Sequence, residues 1–164
     1  MKIYYTLLLL LVASFSQAQI VNIPDANFKF ALLNGIVSDT DGDDNADSTV
    51  DTNNDGEIQV SEAEAVTNLR LWDYNIDSIE GIESFINIEI FRTSDNNLSS
   101  VDFSENLNLE FYSSHRENLM NVNVSQNINL ISLNLIENNL TNLDVTNNSN
   151  LLYLDITGNF FFKY

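Results

Sequence analysis

The sequence predicts an α/β repeat fold, a short solenoid of about five coils that follows an N-terminal helical cap. Two observations predict it. Aliphatic residues recur every 21–22 residues from Val66 onward, and an acidic twelve-residue loop precedes the first of them. We divide the 164 residues into a signal peptide (1–18), the cap (19–65) and the repeats (66–164), of which the last is incomplete.

The N-terminal segment predicts export. Lys2 gives a positive start, residues 7–12 are uninterrupted apolar sequence, and residues 16–18 form a small-x-small site. This pattern is typical of a signal peptide cleaved near Ala18, and its apolar stretch is too short for a stop-transfer helix. We therefore expect a secreted or cell-surface protein with no membrane span in the mature chain.

The cap predicts two helices and a calcium loop. Pro24 and Gly35 bound a helix over 25–34, and a second helix follows over 61–66. Between them, residues 51–62 match the EF-hand loop, in which oxygen ligands alternate along a turn made by Gly56 and a closing Glu binds the cation bidentately. The predicted calcium ligands are Asp51, Asn53, Asp55, Glu57 through its carbonyl, Gln59 through a water, and Glu62.

A second acidic stretch, residues 39–47, allows two interpretations. Its alternating acids either hold a second calcium or form a solvated loop, and they lack the closing Glu of the first loop. Between Asp39 and Glu64 there are 10 acids and no Lys or Arg, so this region needs a cation or mobility to relieve its repulsion.

The rest of the chain repeats with the period of leucine-rich repeats. Position 1 is Val66, Ile88, Leu109, Leu130 and Leu151, and position 4 is Leu69, Phe91, Tyr112, Leu133 and Leu154. These rows predict a continuous core, because no coil buries its apolar face alone. Asparagines, 26 in all, predict ladders at position 19 (Asn106, Asn127, Asn148) and position 9 (Asn96, Asn138, Asn159). Tyr74 and Glu117 interrupt the second ladder and predict local irregularities.

The strands are expected at positions 3–7, with the odd positions on the exposed face of the sheet. Three of the five basic residues of the mature chain, its only Trp and its only His fall on or beside this face. Such side chains carry interface energy, so they predict a partner-binding surface. The alternative is ordinary strand-face arginines paired with Asp73, Asp95 and Glu117. The predicted ligand face is Arg70, Trp72, Arg92, Phe111, His115, Arg116 and Tyr153.

Composition excludes several classes of function. With 24 Asp and Glu against 6 Lys and Arg, the net charge is −18, which argues against nucleic acid and anionic lipid as partners. The chain has no cysteine, so disulfides and thiolate zinc sites are excluded. It has no Gly-x-Ser-x-Gly elbow and no phosphate-binding glycine loop, and we expect no enzymatic activity.

The chain has three characteristic segments, residues 23–29, 51–66 and 76–82, which are followed by Leu-x-x-Leu-Asp-Val/Ile units. In this pattern it resembles a group of exported bacterial leucine-rich-repeat proteins. In these, an EF-hand-like segment caps a short, internalin-like solenoid. The resemblance implies a secreted or surface binding protein, often adhesive. It has two departures. Family copies often carry Cys at position 6, which here is Thr93, Ser114, Leu135 and Ile156, and many relatives continue beyond the equivalent of Tyr164 to a sorting domain.

We therefore expect a calcium-binding leucine-rich-repeat module that binds a protein or glycan through its repeat sheet. The alternative is a truncated structural N-terminal fragment of a larger adhesin with no activity of its own, because the last coil would expose residues 160–162. A third possibility, docking through the calcium loop, requires duplicated loops, and the sequence has only one complete loop.

Overall fold

A computed structural model describes residues 19–39, 42–43 and 45–161, so the signal peptide predicted over 1–18 lies outside the described residues. Two helices come first: α1, Ala26–Asn34, and α2, Val60–Ala65. Seven strands and one 3-10 helix (Ile82–Ser84) follow. The strands are β1 (Asn68–Trp72), β2 (Ile90–Ser94), β3 (Ser100–Asp102), β4 (Phe111–His115), β5 (Asn121–Asn123), β6 (Ser132–Asn134) and β7 (Tyr153–Asp155).

The solenoid is organised by one parallel sheet with the strand order β1-β2-β4-β6-β7. The strands are in strict register, so each repeat position forms a row across the sheet; Arg70 pairs with Arg92, and Arg92 with Ser113. β3 and β5 form a second, two-stranded parallel sheet. The five strands of the larger sheet delimit four complete turns of the solenoid within the described residues.

The even strand positions fill the core, as the alternation along each strand predicts. Leu69, Phe91, Tyr112 and Leu133, the first four residues of the position-4 row, are at most 1% exposed, whereas Leu154, the fifth, is 42% exposed. Phe91 stacks on Tyr112 with ring centres 5.8 Å apart, and Phe103 meets the Tyr112 ring edge-on at 4.7 Å. These aromatic contacts make the turns that carry β2 and β4 the most densely aromatic part of the core.

Asparagine ladders hold neighbouring turns together. Asn127, fully buried, donates through Nδ2 to the carbonyls of Phe103 at 3.0 Å and Asn106 at 2.7 Å. Asn106 and Asn148 make the equivalent bonds in their own turns. In the position-9 ladder, Asn96 and Asn138 each donate to a position-6 carbonyl of the preceding turn. In the position-19 ladder the side-chain amides give a second hydrogen bond to carbonyls that already accept from a backbone amide of their own turn, and so join that turn to the next.

A third ladder was not predicted, although the same period carries it. Asn108 donates to the carbonyl of Ile86, and Asn129 to that of Leu107. Asn87 and Asn150 continue this row with bonds to the carbonyls of Glu64 and Ile128. These asparagines are exposed, so their bonds compete with water and contribute less than the buried ladders.

Each turn leaves the sheet through a residue in the left-handed conformation at position 8. Its φ angle is 57° at Asp95, 52° at Arg116 and 55° at Glu137, and Gly158 occupies the same position at 76°. Residues other than glycine, asparagine and aspartate rarely adopt this conformation. The stacked turns therefore impose it on Arg116 and Glu137.

The cap is fixed to the first turn by Asp25, the N-cap of α1. Its Oδ1 accepts from the amides of Asn27 and Phe28, and its Oδ2 accepts from the amides of Asp77 and Ser78. Burial raises the pKa of Asp25, but these four backbone amides together outweigh it and lower the pKa. One carboxylate thus joins a helix end to the solenoid.

The cap also covers the first edge of the sheet, a feature that the sequence analysis missed. Ser38 pairs antiparallel with Leu69 of β1, and the Arg70 amide donates to the Val37 carbonyl at 2.8 Å. At the other end of the sheet Leu152 is 87% exposed and Phe160 is 59% exposed, whereas Phe161 is half-buried. Phe162, the third residue of the predicted apolar end, lies outside the described residues. Within the described ranges, no helix has the length and apolar character that crossing a membrane requires.

Candidate functional site

The acidic loop brings the six predicted calcium ligands into one hydrogen-bonded cluster. Asp51 accepts from the amides of Asp55 at 3.3 Å and Gly56 at 3.0 Å. Glu62 accepts through Oε1 from the Thr52 amide and through Oε2 from the Gln59 amide. Asp51 and Glu62 are only 4% and 8% exposed, so both carboxylates are held inside the loop by backbone donors.

The other four predicted ligands are joined to one another by hydrogen bonds. Gln59 Nε2 is 3.1 Å from both Asp55 carboxylate oxygens and 3.3 Å from the Glu57 carbonyl, and Asn53 Nδ2 donates to Gln59 Oε1. The pKa of Asp55 is lowered by the Glu57 amide first and by Gln59 second. In the part of the chain that the structure describes, no group of three or more His, Cys, Asp or Glu forms a metal-binding cluster.

The N-terminal residues of the cap hold the loop in place. The Val21 amide donates to the Ile58 carbonyl and the Val60 amide donates to the Gln19 carbonyl, both at 2.8 Å. Ile58 is fully buried between this segment and the core. Lys29 of α1 also pairs with Glu57 at 2.6 Å. The second half of the loop is therefore anchored both to the N-terminal segment and to α1.

The second acidic stretch is described only in part. Asp39 is 5% exposed; its Oδ1 accepts from the Gly42 amide and its Oδ2 from Asn68 Nδ2 at 3.1 Å. Asp39 thus ties this stretch to β1. It also covers Asn68, which is 5% exposed although its odd position predicts an exposed side chain. Asn68 is buried at this odd position because residues 38 and 39 lie against the edge of β1.

The exposed face of the sheet has its aromatic and cationic side chains on β1, β2 and β4. Trp72 is 54% exposed, and the Arg70 guanidinium lies 5.9 Å from its ring centre. Arg70, Arg92 and Phe111 are half-buried. Tyr153, half exposed on β7, lies three strand spacings from β2, about 14 Å away, and donates to Asp155 at 3.2 Å. Tyr153 therefore does not join the other predicted residues.

Arg116 is engaged by a neighbouring turn. Its Nε and Nη2 donate to the two carboxylate oxygens of Asp95 at 2.6 and 2.7 Å. This fork lowers the pKa of Asp95 to about 2 and raises the pKa of Arg116. Of the alternative pairings predicted for the arginines, the one between Arg116 and Asp95 is present.

Two cavities flank Arg92 on this face. The first, of about 380 Å³, is lined by Trp72, Arg92, Thr93, Ser94, Asp95, Ser113, His115 and Arg116, and we call it the Trp72 cavity. The second, of about 310 Å³, is lined by Asp39, Gly42, Thr67, Asn68, Glu89, Ile90, Arg92 and Phe111. Sequence reasoning missed Ser94 and Ser113, although they belong to the same odd-position rows as the arginines and His115.

Comparison with solved structures identifies the fold. The functional domain of InlJ from Listeria monocytogenes matches 86% of this chain with a TM-score of 0.68 and 26% identity. An internalin, InlF, from the same organism matches 89% of it with a TM-score of 0.52 and 18% identity, which supports the fold alone. The InlJ domain includes a cysteine ladder, whereas this chain has no cysteine.

The described residues form a repeat fold similar to that of these internalins, as the resemblance in the sequence implied. The chain spans 29% of the InlJ chain and 47% of the InlF chain. Neither a scan against protein-family models nor a search of curated proteins finds a match.

Proposed function

We propose that the chain is an exported, calcium-binding repeat module that binds a protein or glycan partner through the exposed face of its sheet. One observation carries the proposal. In a chain of net charge −18, Trp72, Arg70, Arg92 and His115 lie together on three neighbouring strands of this face. Exposed Trp and Arg are the side chains that most often supply binding energy at interfaces.

The donor chemistry of the acidic loop supports calcium as the cation. Asp51, Asp55 and Glu62 supply carboxylate oxygens, the Glu57 carbonyl supplies a backbone oxygen, and Gln59 holds a water, which are the hard oxygen ligands that calcium takes. The amide of Asn53 now directs Nδ2 toward Gln59 and has to rotate to present Oδ1. Calcium would supply positive charge beside the buried carboxylates of Asp51 and Glu62, so its role here is structural.

Binding to two panels tests the partner class. The purified protein is offered to solubilised surface proteins and to a glycan array, as wild type and as Trp72→Ala and Arg92→Ala. We expect both substitutions to reduce capture, because each removes a large contact from the face. Gln126→Ala, at an exposed residue outside the strands, is the matched control and is expected to bind normally. Capture that survives both face substitutions would place the binding elsewhere and contradict the proposal.

A second candidate is a structural N-terminal segment of a larger adhesin with no activity of its own. The apolar surface around Leu152 and Phe160 favours it, since solenoids ordinarily cover their terminal turns. This candidate predicts that the folded wild-type protein captures nothing from either panel.

A further inference from the structure

A row of exposed aliphatic side chains runs along the solenoid beside the larger sheet. Ile86, Leu107 and Ile128 lie four residues before the first residue of β2, β4 and β6, respectively. They are 43%, 53% and 59% exposed. Single exposed aliphatic residues are ordinary on a protein surface, but three at the same place in consecutive turns form one apolar line. We call these three residues the aliphatic row.

Hydrogen bonds between turns fix the backbone of this row. The carbonyl of each row residue accepts from the exposed asparagine ladder, at 3.1 Å from Asn108, 3.1 Å from Asn129 and 3.0 Å from Asn150. Leu107 and Ile128 also directly follow asparagines of the buried ladder. The row is therefore ordered before a partner arrives, which lowers the entropic cost of binding.

The spacing of the row matches a helix better than an extended segment. Neighbouring strands of a sheet are about 4.8 Å apart, so three consecutive turns spread the row over about 10 Å. Residues i, i+4 and i+7 on one face of an α-helix span about 10.5 Å. Alternate residues i, i+2 and i+4 of a strand span about 13 Å. A helix that lies along the solenoid axis thus presents one apolar side chain to each turn, whereas an extended segment falls out of register.

Carboxylates border the row on the side of the sheet. Glu89 and Glu110 each follow a row residue by three positions, and their turns are adjacent, since the Glu110 amide donates to the Glu89 carbonyl at 2.8 Å. Neither side chain makes a hydrogen bond or an ion pair within the described residues. Residues 86–91, 107–112 and 128–133 contain no Lys or Arg. The border of the row is therefore acidic.

We propose that the aliphatic row binds a basic amphipathic helix of a protein partner. The apolar residues of the helix pack on the row, and Lys or Arg residues beside them pair with Glu89 and Glu110. A second copy of this chain fits less well, because it would bring the same carboxylates together. The row is separate from the exposed sheet face, so this inference does not depend on the proposed function.

Fluorescence anisotropy of three labelled peptides tests the proposal. Each has about 18 residues, because shorter helices are marginal in water. The first carries a stripe of Leu at helical spacing with Lys and Ala elsewhere, the second has the same composition in scrambled order, and the third has Glu in place of Lys. We expect the first peptide to bind at least about tenfold more tightly than either of the others, because only it combines the stripe with complementary charge.

Variants of the row locate the binding. Leu107→Ser should weaken binding of the first peptide by about tenfold, and Glu110→Gln by about threefold. The matched controls are Met120→Ser and Glu137→Gln, at residues that follow the strands, whereas the row precedes them. Met120 is 53% exposed, as Leu107 is, and Glu137 is also exposed, so both controls should leave the affinity unchanged. Trp72→Ala should also leave it unchanged, which separates the row from the sheet face.

Other outcomes overturn the inference. Equal binding of the ordered and scrambled Lys peptides shows attraction by charge alone, and equal binding of the Glu peptide refutes the basic partner. Binding that survives both Leu107→Ser and Ile128→Ser places the site elsewhere. No binding of any peptide refutes the basic helix, and a dimer in light scattering that Leu107→Ser dissociates assigns the row to a second copy. If Leu107→Ser melts non-cooperatively, Leu107→Gln replaces it and should weaken binding in the same way.

Discussion

Glu117 is a carboxylate at a ladder position where Asn96, Asn138 and Asn159 stand in other turns. It is 4% exposed and accepts from the Leu98 amide at 3.2 Å and from Asn96 Nδ2 at 3.3 Å. An ionised carboxylate has no hydrogen to donate, so the equivalent of the bond from Asn138 to the Ser114 carbonyl is missing. Burial raises the pKa of Glu117 in spite of its hydrogen bonds.

We predict that Glu117→Asn stabilises the protein by about 1–2 kcal/mol at neutral pH, because it restores a buried amide donor. Because the pKa of Glu117 is raised in the folded protein, protonation of this side chain favours folding. Its contribution to the free energy of unfolding is complete below the ordinary pKa range of Glu and is lost as the pH rises through the raised pKa. The gain in Tm should therefore shrink when melts are repeated at mildly acid pH. Glu105→Asn, on an exposed residue, is the control. A variant less stable than wild type at neutral pH would refute this account.

At the scale of the elements, the buried and exposed ladders should differ in energy. Asn127→Ala removes one of the two hydrogen bonds that each of the Phe103 and Asn106 carbonyls accepts, and we expect a loss of about 2 kcal/mol. Asn127 Oδ1 is buried and has no hydrogen-bond partner within the described residues. The substitution removes this unfavourable burial too, which offsets part of the loss. Asn129→Ala, in the exposed ladder, should cost less than about 1 kcal/mol. Urea unfolding of both variants measures the difference, and equal losses would contradict it.

The strands β1, β2 and β4 have the bounds that the period predicts. The alternation of buried and exposed residues determines these bounds. Each of the three strands also has a neighbour on both sides, because residues 37–39 lie along the free edge of β1. β6 and β7 are two residues shorter than predicted, toward the end of the sheet where β7 has only one partner strand. The pairing of Ser38 with Leu69 was not predictable from a repeat pattern, because it joins segments outside that pattern. The third asparagine ladder was predictable, since its four members share the 21-residue spacing.

The candidate site was predicted less completely than the fold. Row assignments placed Arg70, Trp72, Arg92 and His115 on one face, because strand position decides the side on which a residue lies. The alternative pairing of the arginines with Asp73, Asp95 and Glu117 did include Asp95, but strand position alone did not decide that Arg116 is its partner, which depends on the left-handed turn at position 8. Nor did the row assignments predict the cavity beside Trp72, which depends on side-chain conformations.

At the scale of the whole molecule, calcium should stabilise the fold if the acidic loop binds it. Calcium at a hundredfold excess over its Kd adds about 2.7 kcal/mol to the free energy of unfolding, because the unfolded chain lacks the site. We expect thermal melts with calcium and with chelator to differ by several degrees. Glu62→Gln should abolish the difference, and Glu64→Gln, on an exposed residue of α2, should preserve it. A cooperative melt with no calcium shift would refute the site.

Local stability should fall along the solenoid. Leu109 and Leu130 are fully buried, whereas Leu151 is half-buried and Leu154, in β7, is 42% exposed. Because each turn is stabilised mainly by its neighbours, a turn with one neighbour opens most easily. Hydrogen exchange should therefore be slowest in β2 and β4 and fastest in β7. Uniform protection across the five strands would contradict a gradient.

The parallel register of the sheet also determines how the molecule responds to force. A pull on its C-terminal residues loads the bonds between β7 and β6 one after another rather than all at once. Each turn that detaches lengthens the chain by about 70 Å, the extended length of its residues. The first turn should unfold last. A segment of the cap pairs antiparallel with β1, and Asp25 accepts hydrogen bonds from the first turn. Under tension the repeats should therefore unfold one turn at a time, from the C-terminal turn toward the acidic cap.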